Sequence, residues 1–183
     1  TTLSEIISSL DTEADFAYSL KAANNVILAA FDDFNITEFT EVELPANLFT
    51  FNIDSSKYLP KFKKLNAPTF PIPSLANSAY KLGFAHISPD DDGTTRHYDT
   101  FFIYGNKLVV NFSMQCVLDL LKVDSVAFSK EFVNLFSKNE NVLRIPIDEN
   151  GKTVLNYYGP KKQFRYISFS NVIRNRVPEE YFK

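Results

Sequence analysis

Asp90, Asp91 and Asp92 stand in a row, Gly93 follows them, and Arg96 comes three residues after the glycine. Three carboxylates and one guanidinium this close can do two kinds of chemistry. The aspartates can chelate a hard cation such as calcium. The guanidinium can form a forked pair with Asp90 or Asp92 and lock the turn, or it can face a pocket and hold an anionic ligand. An EF-hand register with Gly93 at its sixth position would start at Ser88, which lacks the first carboxylate, and no distal glutamate closes it. No metal site is therefore assigned, and the acidic run reads first as a turn. Asp-Gly supplies a positive φ for a sharp reversal, and Pro89 fixes the entry. A second cluster, Asn156-Tyr157-Tyr158, offers stacking faces and hydroxyls that can line the same region. Gly159-Pro160 then ends that strand in a turn. The candidate ligand-binding residues are Arg96, Asn156, Tyr157 and Tyr158. The candidate structural motif is Asp90, Asp92, Gly93, Arg96, Gly159 and Pro160.

Other chemistries lack their residues. The five glycines, at 83, 93, 105, 151 and 159, never come close enough for a phosphate-binding loop. There is no GxSxG elbow. Cys116 is the only cysteine, so no intrachain disulfide forms. It lies in an apolar helix beside Met114 and Leu118, which predicts a buried, inert thiol. Two histidines and one cysteine do not make a zinc site; His86 and His97 read as strand or surface residues. No catalytic residue and no cofactor are assigned. A formal net charge of −3 and a pI near 5.4 give no basic field for nucleic acid. The lysines of 57–64 and Lys161-Lys162 read as solvated surface. No apolar run reaches the ~18–20 residues of a membrane span; the longest is Val26 to Phe31. No leader-peptide pattern is visible.

The elements that must position these residues follow from periodicity. A chain of 183 residues suits one domain. Leu3, Ile6, Ile7 and Leu10 share a helical face, with Thr2 and Glu5 as a capping box. Asp11 or Thr12 caps a second helix carrying Phe16, Ala17 and Leu20, which Asn24-Asn25 ends. Val26 to Phe31 reads as a buried strand. Phe49, Phe51 and Ile53 alternate as an edge strand in an irregular stretch, and the proline-rich segment 58–73 reads as a surface loop. A short helix starts at Ser74. Phe84 to Ser88 and Asp99 to Tyr104 are expected to pair antiparallel across the acidic turn. Gly105-Asn106 suits a hairpin into Leu108 to Val110. A helix capped by Asn111 or Ser113 carries Phe112, Cys116, Leu120 and Leu121. Phe128, Phe132, Leu135 and Phe136 predict a helix over 125–138. A hairpin is expected around Asp148-Glu149-Asn150-Gly151, then a strand over 164–169 and a short helix over 170–175. The expected fold class is α/β, with a central mixed β-sheet and flanking helices in a single domain.

These segments, in this order, resemble the CHASE2 family of extracytoplasmic sensory domains from bacterial transmembrane signalling proteins. The resemblance runs from about Asp11 to Ile173. It comprises Asp15 to Leu20 and the strand up to Ala30, Pro71-Ile72-Pro73-Ser74 to Gly83, Asp90, Asp92, Gly93 and Arg96, Gly105, Asn111 to Leu121, Asn156 to Pro160, and Phe164, Ser168 and Val172. It implies a ligand- or stimulus-input domain in a periplasmic or cell-surface location. It also implies anchoring to the membrane by segments outside this chain, and a parent protein with a cyclase, diguanylate cyclase or kinase output. The implied partner is an unidentified small molecule or environmental stimulus, with a homodimer as a second expectation. The family's first apolar strand–helix–strand unit and its last strand are missing here, so an excised piece of a larger protein or a shortened relative is expected. Two alternatives stand beside this: a small hydrolase using Asp and His, and a protein-interaction module with an aromatic surface.

Overall fold

The computed structural model describes residues 11–33, 35–53, 58–160, 163–164 and 166–182. The expected helix over Thr2 to Leu10, and Lys57, Lys161 and Lys162, lie outside the described residues.

The centre is a hairpin of β6 (Phe101–Tyr104) and β7 (Lys107–Val110), paired from Phe101↔Val110 to Tyr104↔Lys107. Successive side chains leave a strand on opposite faces. Phe102, Tyr104 and Val109 enter one buried cluster with Ala30, Leu82 and Phe84. Phe101, Leu108 and Val110 enter another with Phe62, Met114, Leu118, Val133 and Leu135. Burial on both faces explains why both strands are almost wholly apolar. Phenylalanine rings fill the space edge-on: Phe101 and Phe128 at 5.4 Å between centroids, Phe62 and Phe101 at 5.9 Å, and Phe84 and Phe102 at 6.3 Å.

The flanks are built outward from this hairpin. On one side, β2 (Thr50–Asn52) pairs antiparallel with β7 as an edge strand. Helix α1 (Thr12–Ala23), capped by Asp11 Oδ1 accepting from the Ala14 N–H at 3.0 Å, leads into β1 (Ile27–Asp32). β1 lies between β3 (Pro68–Thr69), antiparallel, and β4 (Lys81–Phe84), parallel. Helix α2 (Pro73–Ala76) precedes β4. After β7 comes α3 (Phe112–Leu120), then a three-stranded antiparallel sheet of β8 (Ser125–Phe128), β9 (Phe132–Ser137) and β10 (Glu140–Pro146). Finally β5 (His97–Asp99) pairs antiparallel with β11 (Lys152–Val154), and α4 (Phe169–Ile173) lies in the tail.

The fold is α/β with parallel and antiparallel pairing, as expected. Its strands are two to seven residues long and divide into small sheets instead of running as one central ladder. Single bridges, Leu48↔Leu82, Phe84↔Asn111 and Lys64↔Ile103, knit β1–β4 and the proline-rich segment to the central hairpin.

Several sequence-based expectations change. The segment 125–138 is the β8–β9 hairpin, not a helix. Its Phe/Leu spacing fits a helix, but Val133 and Leu135 alternate into the core, and its valines and phenylalanines favour a pleated surface. β4 pairs with β1, and β5 with β11, so the strands around the acidic turn do not pair with each other. The proline-rich segment is no surface loop. Phe62 and Leu65 are buried in it, and its backbone bonds β6 through Leu65 N–H to Ile103 O at 2.8 Å and Ile103 N–H to Lys63 O at 2.9 Å. The turn at Asp148 to Gly151 forms, yet its flanking strands join different partners, β9 and β5. Residues 166–168 have no regular structure, and α4 starts at Phe169. In α3 the inward stripe is Met114, Gln115 and Leu118, continuing the buried Asn111 that precedes the helix, whereas Leu120 is 80% exposed and Cys116 is exposed, not buried. The helix is rotated from the expected face because two polar side chains, Asn111 and Gln115, are the ones taken inside.

Candidate functional site

The acidic turn forms as an Asp-x-x-Gly reversal. Gly93 N–H donates to Asp90 O at 2.8 Å, Asp90 N–H donates to Thr94 O at 2.9 Å, and Gly93 takes φ 78°. Arg96 reaches back over it. Its Nη1 donates to Asp92 Oδ1 at 3.0 Å and its Nη2 to Asp92 Oδ2 at 2.8 Å, a forked pair, while Nη1 lies 3.6 Å from Asp90 Oδ2. Asp90 is held from two more directions, by the Arg96 backbone N–H at 3.2 Å and by His97 Nδ1 at 2.9 Å. These contacts show in the acidities. The His97 hydrogen bond, ahead of Arg96, holds the Asp90 carboxyl below the usual aspartate range. The Arg96 fork does the same for Asp92, and Arg96 itself is pushed up by Asp92.

The second cluster meets the first through the chain that follows β11. Leu155 N–H donates to Arg96 O at 2.8 Å, and the Tyr157 hydroxyl donates to Thr95 O. Tyr158 turns away and packs edge-on against Phe164 at 6.2 Å. Of the four candidate ligand residues, Arg96 alone lines the open depression at the turn, together with Pro89, Asp90, Asp91, Asp92, His97 and Lys152. Asn156, Tyr157 and Tyr158 are exposed and do not line it. Gly159 takes φ 138° beside Pro160. Among the described residues no cluster of three or more His, Cys, Asp or Glu side chains is placed to hold a metal ion.

His86 sits elsewhere, at the end of the β4 segment. Its Nε2 lies 2.6 Å from Ser88 Oγ and 2.9 Å from Lys63 Nζ, which also donates to Ser88 Oγ at 3.2 Å. A serine beside an imidazole is the geometry of an activated nucleophile. Here the ammonium of Lys63 competes for the same nitrogen lone pair. The nearby cavity is lined by His86, Tyr98, Asn111 and Ser113 but not by Ser88. Burial, then Lys63, pushes His86 down from the usual histidine range, and burial lowers Lys63.

Residue types alone did not point to a fourth place. A cavity of about 260 Å³ opens between the start of β4 and the end of α3, lined by Phe49, Tyr80, Lys81, Gln115, Leu118, Asp119, Lys122 and Val123. The Tyr80 hydroxyl donates to Asp119 Oδ1 at 2.7 Å. Gln115 is 1% exposed, and its Oε1 has no hydrogen-bond partner among the described residues. An orphaned buried acceptor costs about 1–3 kcal/mol. The signal available in the sequence was a glutamine within the apolar run of α3, which the face centred on Cys116 had turned outward.

A family model described as the CHASE2 domain matches residues 3–183, essentially the whole chain. No curated protein and no solved structure matches it.

Proposed function

The chain belongs to the CHASE2 domain family, a family of extracytoplasmic sensory domains of receptors, and from that premise we propose that it is the stimulus-input part of a bacterial transmembrane signal-transduction receptor. The match over residues 3–183 carries this reading. Among the described residues no helix is long and apolar enough to cross a membrane, so the anchoring that the reading requires falls to other segments of the parent protein. The chain itself is a binding domain and not a catalyst. Among the described residues the His86–Ser88 contact carries Lys63 on the same imidazole nitrogen, and Ser88 does not line the adjoining cavity.

Sensing needs two conformations that a ligand binds unequally. The acidic turn supplies a joint suited to such a change. Arg96 and Thr95 offer the carbonyls that hold Leu155 and Tyr157, and the Arg96 side chain is fastened to Asp92. Any shift of the turn therefore moves the segment that follows β11. A ligand anion at Arg96 would act by displacing Asp92, with Tyr157 held on the neighbouring Thr95 carbonyl and Asn156 and Tyr158 on either side of it in the chain. Native mass spectrometry of the freshly purified chain tests the sensing role. A small molecule retained under native conditions and lost on denaturation is the expected result. A bare mass, together with hydrogen exchange that no solute alters, would overturn it.

A further inference from the structure

We propose that the cavity between β4 and α3 binds a small amino-carboxylate, a molecule of the amino-acid class with a protonated amine and a carboxylate on a short apolar frame. This deepens the sensing reading by naming a ligand class and a place for it, and it does not depend on how the domain is anchored.

Three features of the lining select that chemistry. The first is the supply of acceptors. Among the described residues Gln115 Oε1 is buried without a donor, and the Asp119 carboxylate receives one bond, from Tyr80, which leaves acceptor capacity on it. Asp119 also lies in the last turn of α3, at the negative end of the helix dipole, where a carboxylate is unfavourable and a cation is favoured. An ammonium there meets the carboxylate, the helix end and the orphan amide together. The second is the supply of positive charge. Lys81 and Lys122 both line the cavity, against a single carboxylate, so the lining carries a surplus that an anionic group on the ligand neutralises. The Lys81 ammonium lies 5.6 Å from the Tyr80 ring centre, which keeps it beside the same wall. The third is size and polarity. About 260 Å³ is below the ~300–1,000 Å³ of pockets that hold drug-sized ligands, and Phe49, Leu118 and Val123 give it an apolar side. A ligand with amine, carboxylate and a short aliphatic side chain uses all three.

The place also suits a sensor. Gly83 of β4 packs on α3 so closely that a Cβ there would lie 2.7 Å from Phe112 Cα and 3.3 Å from Gln115 Cβ. A ligand that reorients Gln115 therefore acts directly on the contact between helix and strand.

The test is calorimetric titration of the whole chain with L-alanine and L-valine, with propionate and propylamine as probes that each carry only one of the two charges. Saturable binding of an amino acid, with neither single-charge probe matching it, is expected. Asp119→Asn, which keeps an acceptor for Tyr80 at a half-buried position, and Lys81→Met should each weaken binding about tenfold or more. Gln115→Leu should weaken it as well, and circular dichroism establishes that this variant is folded. Absence of amino-acid binding at millimolar concentrations overturns the proposal, as does binding that Asp119→Asn and Lys81→Met leave unchanged or that propionate or propylamine reproduces. If a purified chain retains another molecule while this titration is silent, the sensing reading stands and this inference falls.

Discussion

Two turns in this protein share a local structure and differ in what surrounds them. Asp90 to Gly93 and Asp148 to Gly151 are both Asp-x-x-Gly reversals. In each, the glycine N–H donates to the aspartate O, at 2.8 and 3.0 Å, and the aspartate N–H donates to the residue after the glycine, at 2.9 Å in both. The glycines take nearly the same φ, 78° and 75°. The first turn stands in solvent, with nothing within 4 Å of a Cβ placed on Gly93, and is fastened by Arg96 and His97. The second is pressed into the core. Gly151 is buried, its carbonyl accepts from Thr100 Oγ1 at 2.7 Å, and a Cβ on it would lie 2.0 Å from the Phe62 ring. Each leads into one strand of the β5–β11 pair. The same short motif thus builds a charged surface joint at one end and a packing contact at the other, and only tertiary contacts separate them.

The largest effect expected is at the buried turn. Gly151→Ala meets both a left-handed backbone and the Phe62 ring, so it should destabilise by about 3 kcal/mol or more, read as a loss of melting temperature. Gly93→Ala has the backbone cost alone, about 1–2 kcal/mol. Equal losses at the two positions would break the contrast between them.

That contrast also marks how far the sequence could be read. Both turns were legible, because Asp, Gly and Asn carry their conformational preference locally. The β6–β7 hairpin was legible for the same reason, since Gly105-Asn106 separates two apolar runs. Partners were not. β4 chose β1, and β11 chose β5, through contacts between residues far apart in the chain. Segment 125–138 fits two periods at once, and only the packing of Val133 and Leu135 decides for strands. At the candidate site, the Arg96–Asp92 pair follows from spacing, whereas the neighbourhood of Tyr157 and Thr95 needs the β5–β11 pairing. The cavity at Gln115 was hidden because α3 offers apolar residues on more than one face, and the buried face is the one that includes polar side chains.

A smaller effect distinguishes the half-buried His86 from the charged surface joint. His86 is held below its ordinary value, so the unfolded chain binds more protons than the folded one as pH falls. Stability is therefore full above about pH 6.5, the unfolded value, and declines as pH falls from there through the lower folded value. Denaturant melts of His86→Gln should lose this slope between about pH 5 and 7. The acidic turn behaves differently. Asp90 and Asp92 are depressed, so their contribution is present above the unfolded aspartate value of about 3.9 and is lost as pH falls through the lower folded values. Asp92→Asn should flatten the acid limb below about pH 4 and leave the neutral region nearly unchanged.

The smallest change decides whether the acidic turn is held closed by its own charges. The direct measurement is a double-mutant cycle of Arg96→Ala and Asp92→Asn, followed by thermal melting at neutral pH and repeated with Asp90→Asn. A closed joint predicts that the double mutant loses less than the sum of the two single mutants, with stronger coupling for Asp92, which takes the fork, than for Asp90 at 3.6 Å. Additive losses for both pairs would contradict it and would leave Arg96 open to an anion instead.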